Sequence, residues 1–274
     1  MALIMLGLFL LMMVAVLFIG VEVKGARRWL SIGGLSVQPS EFLKPAFVII
    51  CAWLFAEQAK RTIPGNLLAI LLLGIVLGLL VLQPDLGQTM LTLGTWGVMF
   101  FLAGMSWFWI ALFGGVGVVG AFAAYTVFPH VASRLDRFLS GEGDMYQVDM
   151  GRDAVIAGGW FGVGPGEGAV KRMIPDSHAD FVFAVAGEEF GIVACMLIML
   201  IFAFIVLRGM KIALKEHDEF TRLAVAGLVT VFGFQSIINM GVNLQLLPAK
   251  GMTLPFISYG GSSLIAIAIS MGMV

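Results

Sequence analysis

Long apolar runs broken by short polar stretches dominate the chain. Each run of about 20 residues is enough to cross a bilayer of roughly 30 Å. The runs predict helices near 2–22, 39–59, 64–83, 86–105, 107–128, 179–213, 219–243 and, shorter, 260–274. Between them lie a short loop with Lys24, Arg27, Arg28 and Trp29, a polar turn at Lys60 and Arg61, and the tight Gln83-Pro84-Asp85 turn. A small turn near Gly104, a long loop over 129–178, a charged segment at 214–222 and a loop at 244–259 follow. Two helix entries share a pattern: Gln38-Pro39-Ser40-Glu41 and Gln83-Pro84-Asp85 each put proline at the start and an acid in the first turn. Proline fits the N1 position and the acid complements the helix dipole. Counting crossings puts the loops at 22–38, 83–85, 129–178 and 244–259 on one face of a membrane, face one, and the rest on face two.

Composition fits this reading. Hydrophobic residues make up 60% of the 274, charged residues 12%, and the mean hydropathy is +1.01. A soluble domain carries about 25% charged residues. The chain therefore reads as a single all-α, polytopic membrane domain over 1–274, with a spanning first helix rather than a signal peptide. A net charge of -1 gives no basic field for nucleic acid. Cys51 and Cys195 fall inside apolar helices and read as buried small residues, not as a disulfide or metal pair. Cations are more numerous on face one, which by the positive-inside rule would be cytoplasmic. That inference lapses if the cations serve a polyanion.

Several segments are candidates for chemistry. The stretch Gly158–Gly168, GGWFGVGPGEG, fits neither nucleotide-binding glycine pattern. It reads as a loop whose glycines permit tight turns. His130, His178 and His217 are scattered, so no zinc site is expected; a weakly held Mg²⁺ or Mn²⁺ on carboxylates needs few protein ligands. Charges within the predicted spans are Glu41, Lys44, Asp180, Glu188 and Glu189, with Asp85 at a helix end. A charge at mid-bilayer costs roughly 2.5–3.5 kcal/mol or more, so such groups face a cavity or one another. Glu41 and Lys44 stand at i, i+3 and can pair, either as a pin between helices or as ligand contacts. One of Glu188 and Glu189 is expected to neutralise a buried cation such as Lys44. Asp85 reads as a cap. Asp180 is expected one or two residues inside its helix, with Asp176 left to cap it. Its position between an apolar wall (Phe181, Phe183) and a polar loop suits a general base.

The segments GARRWLSIGGLSVQPSEFLK (25–44), QPDLG (83–87), YQ (146–147), GGWFGVGPGEG (158–168), PDSHADFVFAVAGEEFG (175–191) and LLPAKGMTLPFISYGGSS (246–263) resemble, in order, the motifs of the SEDS family of bacterial cell-wall polymerases. Lys250 to Pro255 resembles the division-type branch, and GPGEG with PDSH its alphaproteobacterial members. Asp176 and Ala179 depart from the usual glutamate and threonine. The resemblance implies about eight of the family's ten transmembrane helices in this chain, the last one clipped. It implies a peptidoglycan glycosyltransferase that polymerises lipid II and releases undecaprenyl diphosphate, with Asp180 as the catalytic acid. Arg27, Arg28, Trp29, Glu41, Lys44 and Asp85 match motif positions around the central cavity, Lys250 and Ser262 match the last loop, and the resemblance implies that all of these residues bind substrate. It further implies a class B penicillin-binding protein, a transpeptidase, as partner among other divisome proteins. The location would be the inner membrane at the division septum, with face one periplasmic. Two competing classes are a lipid II flippase and a non-enzymatic divisome scaffold. An acid at the face-one surface favours the enzyme, because a flippase needs its binding group near the midplane.

Overall fold

A computed structural model describes residues 1–23, 26–127, 132, 146–247 and 251–274. Lys24, Lys250, His130 and most of the early part of the long loop lie outside the described residues. The apolar runs become helices close to where the pattern puts them: α1 (Ala2–Ile19), α2 (Pro39–Ala59), α3 (Gly65–Leu82), α4 (Leu86–Leu102) and α5 (Trp107–Val127). After α6 (Tyr146–Gly158) come α7 (Val182–Ala213), α8 (Glu219–Asn243) and α9 (Gly261–Gly272). Of these, α1, α2, α3, α7 and α8 have the length and hydropathy to cross a membrane, and α4 and α9 are shorter apolar helices. The chain forms two compact units: Met1–Gly104 with Ala203–Gln235 and Tyr259–Val274, and Met105–Phe202 with Ser236–Ser258.

In the first unit α2 is the centre. Its residues from Pro39 to Ala56 are mostly buried, and it packs on α1, α3, α4 and α9. A stacked Phe9–Phe42 pair joins α1 to α2, and Phe55, Trp96 and Phe100 interlock α2 with α4. The first expected helix entry forms, whereas at the second Pro84 falls before the cap, at φ 22°, and the acid is the cap itself and not a first-turn residue. Pro39 takes N1 of α2, and the Asp85 side chain caps α4 by accepting from Gln88 N at 3.3 Å.

The segment expected as a short loop at 22–38 is instead a three-stranded antiparallel sheet, β1 (Val21–Val23), β2 (Ala26–Ile32) and β3 (Leu35–Val37). Its cause is local. Gly33 and Gly34, both at positive φ (58° and 87°), close a two-residue hairpin between paired Ile32 and Leu35. Such a turn needs two left-handed residues, which glycine supplies without strain.

In the second unit the long loop holds more structure than its polarity implied. Helix α6 folds because Ala154 and Met150, four residues apart, pack with Ile174, Phe181, Ala184 and Val242. A 3₁₀ turn spans Val170–Met173. Helix α7 is not continuous: Gly191 sits at φ 80°, ψ 178° and breaks it. The glycine motif fills that break. Val163 N and Gly164 N donate to the carbonyls of Glu188 and Glu189 at 2.9 and 3.1 Å. Ile192 N and Val193 N donate to Gly159 O and Trp160 O at 2.9 and 3.3 Å. Backbone groups freed by the kink thus find partners, as buried backbone polar groups must. Gly162 (φ 80°) and Gly191 are needed here, since a Cβ on either would run into the facing backbone. The motif is a docking strap, not a free loop.

Candidate functional site

The site is built from the residues that hold polar groups in apolar surroundings. In the first unit, the first turns of α2 present Glu41 and Lys44 inward at 4% and 6% exposure. Lys44 Nζ lies 2.8 Å from Glu41 Oε2 and donates to Gln235 Oε1 at 2.9 Å. Gln235 Nε2 donates in turn to Ser263 Oγ at 3.1 Å, and Gln88 Nε2 donates to Glu41 Oε1. The i, i+3 spacing makes the ion pair, and one amide from α4 and one from α8 each add a hydrogen bond to it. A buried charge is retained only when paired and hydrogen-bonded in this way.

Arg28 on β2 works on the neighbouring turn. Its guanidinium donates to Gln83 O at 3.3 Å and to Pro84 O, and its Nε is 3.7 Å from Asp85 Oδ2. Burial pushes the Asp85 carboxyl above its ordinary value, and the charge of Arg28 pulls against that rise. Arg27 faces the other way, half exposed, 3.5 Å from Glu22. Trp29 is half-buried opposite Val21. Ser262 Oγ, at the start of α9, accepts from Gln38 N at 3.2 Å and lies 3.4 Å from Ser36 O. The structure therefore joins Glu41 with Lys44, joins Arg28 with Asp85, ties Ser262 to the entry of α2, and leaves Arg27 outward.

In the second unit Asp180 is half-buried and lies in a turn before α7, not inside the helix as expected. Its carbonyl receives two side-chain amides, Asn239 Nδ2 at 2.9 Å and Asn243 Nδ2 at 3.0 Å. Asn239 also donates to Met252 O at 2.6 Å, and Asn243 Oδ1 accepts from Ala184 N at 3.0 Å. With its carbonyl so occupied, residue 180 cannot start the helix, whose first hydrogen bond is Val185 N to Phe181 O. The backbone of Gly251 lies against the Asp180 carboxylate: a Cβ there would stand 2.8 Å from Oδ2.

Two further expectations are corrected. Asp176 stands well before Val182, out of capping position; at φ 57° its carbonyl accepts from Ala179 N and Asp180 N at 3.0 Å each. Neither glutamate of α7 serves Lys44. Glu188 accepts from Val170 N and Lys171 N at 2.7 and 2.8 Å, and Glu189 pairs with Lys171 Nζ. Backbone amides at the head of the 3₁₀ turn are natural carboxylate partners. Cys51 and Cys195 are free and buried, as expected. Among the described residues no group of three or more His, Cys, Asp or Glu is placed to hold a metal ion. The described side chains therefore build no metal cage. The amides Gln88, Gln235, Asn239 and Asn243 escaped a sequence reading that followed charges. Their signal was uncharged polar residues in otherwise apolar helices.

The chain is similar to known proteins along its whole length. A family model described as cell cycle protein, FtsW/RodA/SpoVE, matches residues 1–274. A probable peptidoglycan glycosyltransferase FtsW of Caulobacter vibrioides is 46% identical over 263 residues, covering 95% of this chain and 67% of that protein. Stage V sporulation protein E of Bacillus subtilis is 34% identical over 273 residues, covering 97% and 75%. Among solved structures, a chain from work on how a peptidoglycan synthase complex coordinates polymerization and crosslinking superposes with a TM-score of 0.83. Its identity is 31%, over 99% of this chain and 79% of that one. The rod shape determining protein RodA of Thermus thermophilus gives 0.71 at 32% identity, over 100% and 76%. The chain is thus a multi-pass membrane protein, and with the family model matched along its whole length it belongs to the FtsW/RodA/SpoVE family as an FtsW-type SEDS protein.

Proposed function

We propose that the protein is a peptidoglycan glycosyltransferase that polymerises lipid II and releases undecaprenyl diphosphate. The observation that carries this reading is the placement of Asp180: a half-buried carboxylate, its peptide gripped by two asparagines, beside a glycine backbone that leaves it room. The relative named a probable peptidoglycan glycosyltransferase supports the same reaction.

The reaction is a single displacement. The acceptor sugar's 4-hydroxyl oxygen attacks the donor's anomeric carbon, and its proton passes to the Asp180 carboxylate. The bond from that carbon to the diphosphate oxygen breaks, and the diphosphate leaves with the electron pair. The anomeric centre inverts, as in glycosyl transfer without a covalent enzyme intermediate. A base in hydrogen-bond reach contributes typically 10²–10⁴-fold. Charge on the departing diphosphate calls for cations, and arginine's fork matches phosphate oxygens. Arg27, outward and half exposed, Arg28, Trp29 and Lys250 are the assigned substrate contacts. Glu41, Lys44, Asp85 and Ser262, all buried, serve the substrate through the frame they hold. A Mg²⁺ or Mn²⁺ ion would come with the diphosphate and add charge neutralisation.

Face one is then periplasmic, its cations meeting a diphosphate lipid, and the protein acts at the division septum with other divisome proteins. A class B penicillin-binding protein is the assigned partner, since a SEDS-like chain of this fold is found in a peptidoglycan synthase complex. The test is fluorescent lipid II with the purified protein and its transpeptidase partner. Glycan strands on a gel support the reading. Movement of lipid II between leaflets without polymer would replace the enzyme with a flippase, and neither activity would leave a scaffold.

A further inference from the structure

In a regular helix the Ala184 amide would donate to the Asp180 carbonyl, four residues back. Here the Asn243 side chain stands between them. Its Nδ2 donates to Asp180 O at 3.0 Å and its Oδ1 accepts from Ala184 N at 3.0 Å. The side-chain amide thus replaces a peptide within the first turn. Its second N–H goes to Asn239 O at 2.9 Å, so both of its donors are used. Asn239 adds a second donor to the Asp180 carbonyl at 2.9 Å and fixes Met252 O at 2.6 Å, next to the glycine that faces the carboxylate. Both asparagines are buried, at 0% and 1% exposure.

An ordinary cap would accept the free amide and stop there. This side chain also donates to the carbonyl that the helix itself would have used. Its specific consequence is where residue 180 stands. We propose that Asn243, seconded by Asn239, is a positioning residue for the reaction: it wedges open the first turn of α7 and holds the Asp180 peptide outside the helix. Buried as they are, the asparagines act through the Asp180 peptide. The inference rests on Asp180 being the base.

Removing the wedge releases two groups that satisfy each other. Ala184 N–H pairs with Asp180 C=O, α7 gains residues at its N-terminus, and the carboxylate swings around the helix axis. Stability changes little, because no buried polar group is orphaned. Turnover changes much, since a misplacement of about 1 Å costs on the order of 10²-fold. A purely structural asparagine would show the opposite pattern.

The experiment compares Asn243→Ala, Asn239→Ala and Asp180→Asn in the full protein with its transpeptidase partner, using fluorescent lipid II. For Asn243→Ala the expected result is a kcat lower by about 10²-fold, with KM for lipid II, partner capture and thermal midpoint at wild-type values. If that variant does not accumulate, Asn243→Ser, too short to bridge the two groups, carries the same expectation. Asn239→Ala, which keeps the wedge and frees Met252 O, is expected to lose less kcat and some thermal midpoint. Wild-type kcat in the Asn243 variants overturns the inference while a dead Asp180→Asn keeps the base. A matching loss of kcat and thermal midpoint in those variants makes Asn243 structural and also overturns it. A polymerising Asp180→Asn removes the base and the inference with it.

Discussion

Replacing Lys44 by methionine removes one charge from the network inside the first unit and keeps the length of the side chain. Glu41, 4% exposed, loses the ammonium 2.8 Å away and keeps Gln88 as its hydrogen-bond partner. Gln235 Oε1 loses its donor at 2.9 Å. Breaking a buried pair from one side costs roughly 3–5 kcal/mol, because a charge is left uncompensated. The orphaned amide oxygen is the smaller cost, about 1–3 kcal/mol, and overlaps with the first because both follow from losing one ammonium. Lys44→Met is therefore expected to lose about 4 kcal/mol. Glu41→Leu with Lys44→Met removes both charges and is expected to recover most of it, since an apolar pair of similar volume is often neutral. Reversible unfolding of the four proteins of this cycle in mixed micelles measures the coupling. A Lys44→Met loss under about 1 kcal/mol, the worth of an exposed pair, would refute a desolvated ion pair. So would a double variant no better than the single one.

Three other outcomes follow from the described geometry. Gly162→Ala is expected to release the strap from the helix break, because its Cβ would meet Glu189 O at a left-handed φ of 80°; limited proteolysis between residues 158 and 169 should accelerate, and unchanged cleavage would refute the docking. Trp160 and Phe161, at 69% and 83% exposure, sit beside Ile192, the first residue of a segment that runs about 33 Å to Ala213. Trp160 is accordingly placed at a membrane interface, where aromatic residues collect; lipids brominated near the headgroup should quench the part of the emission lost in Trp160→Phe, and quenching only by deep bromines would contradict this. Single cysteines at Arg172 and Glu216, in an otherwise cysteine-free protein, should label from the periplasmic side at the first position only; the reverse pattern would invert the topology.

Helix positions were legible because bilayer length and hydropathy leave little choice, and Pro39 and Asp85 mark entries by local rules that the structure obeys. The Glu41–Lys44 pair was legible from i, i+3 spacing alone. The hairpin at Gly33-Gly34 was legible in principle, since two glycines between short alternating runs suit a two-residue turn. What could not be read was long-range: that Glu188 caps a 3₁₀ turn, that Gly162 docks on a broken helix, or that Asn243 reaches the turn before α7. These depend on which surfaces meet, and a sequence pattern fixes each surface without its partner. The displacement of Asp180 out of α7 follows from the same cause, since local propensity favours continuing the helix and a distant asparagine stops it.

The central claim is that the Asp180 carboxylate takes the proton of the attacking hydroxyl. Its most direct test is the rate of glycan polymerisation by Asp180→Asn, with its transpeptidase partner and fluorescent lipid II. Asparagine keeps the size and the backbone contacts with Asn239 and Asn243, and removes only the base. The account predicts no polymer from a protein that folds, captures its partner and binds lipid II as the wild type does. Glycan strands made at the wild-type rate would contradict it.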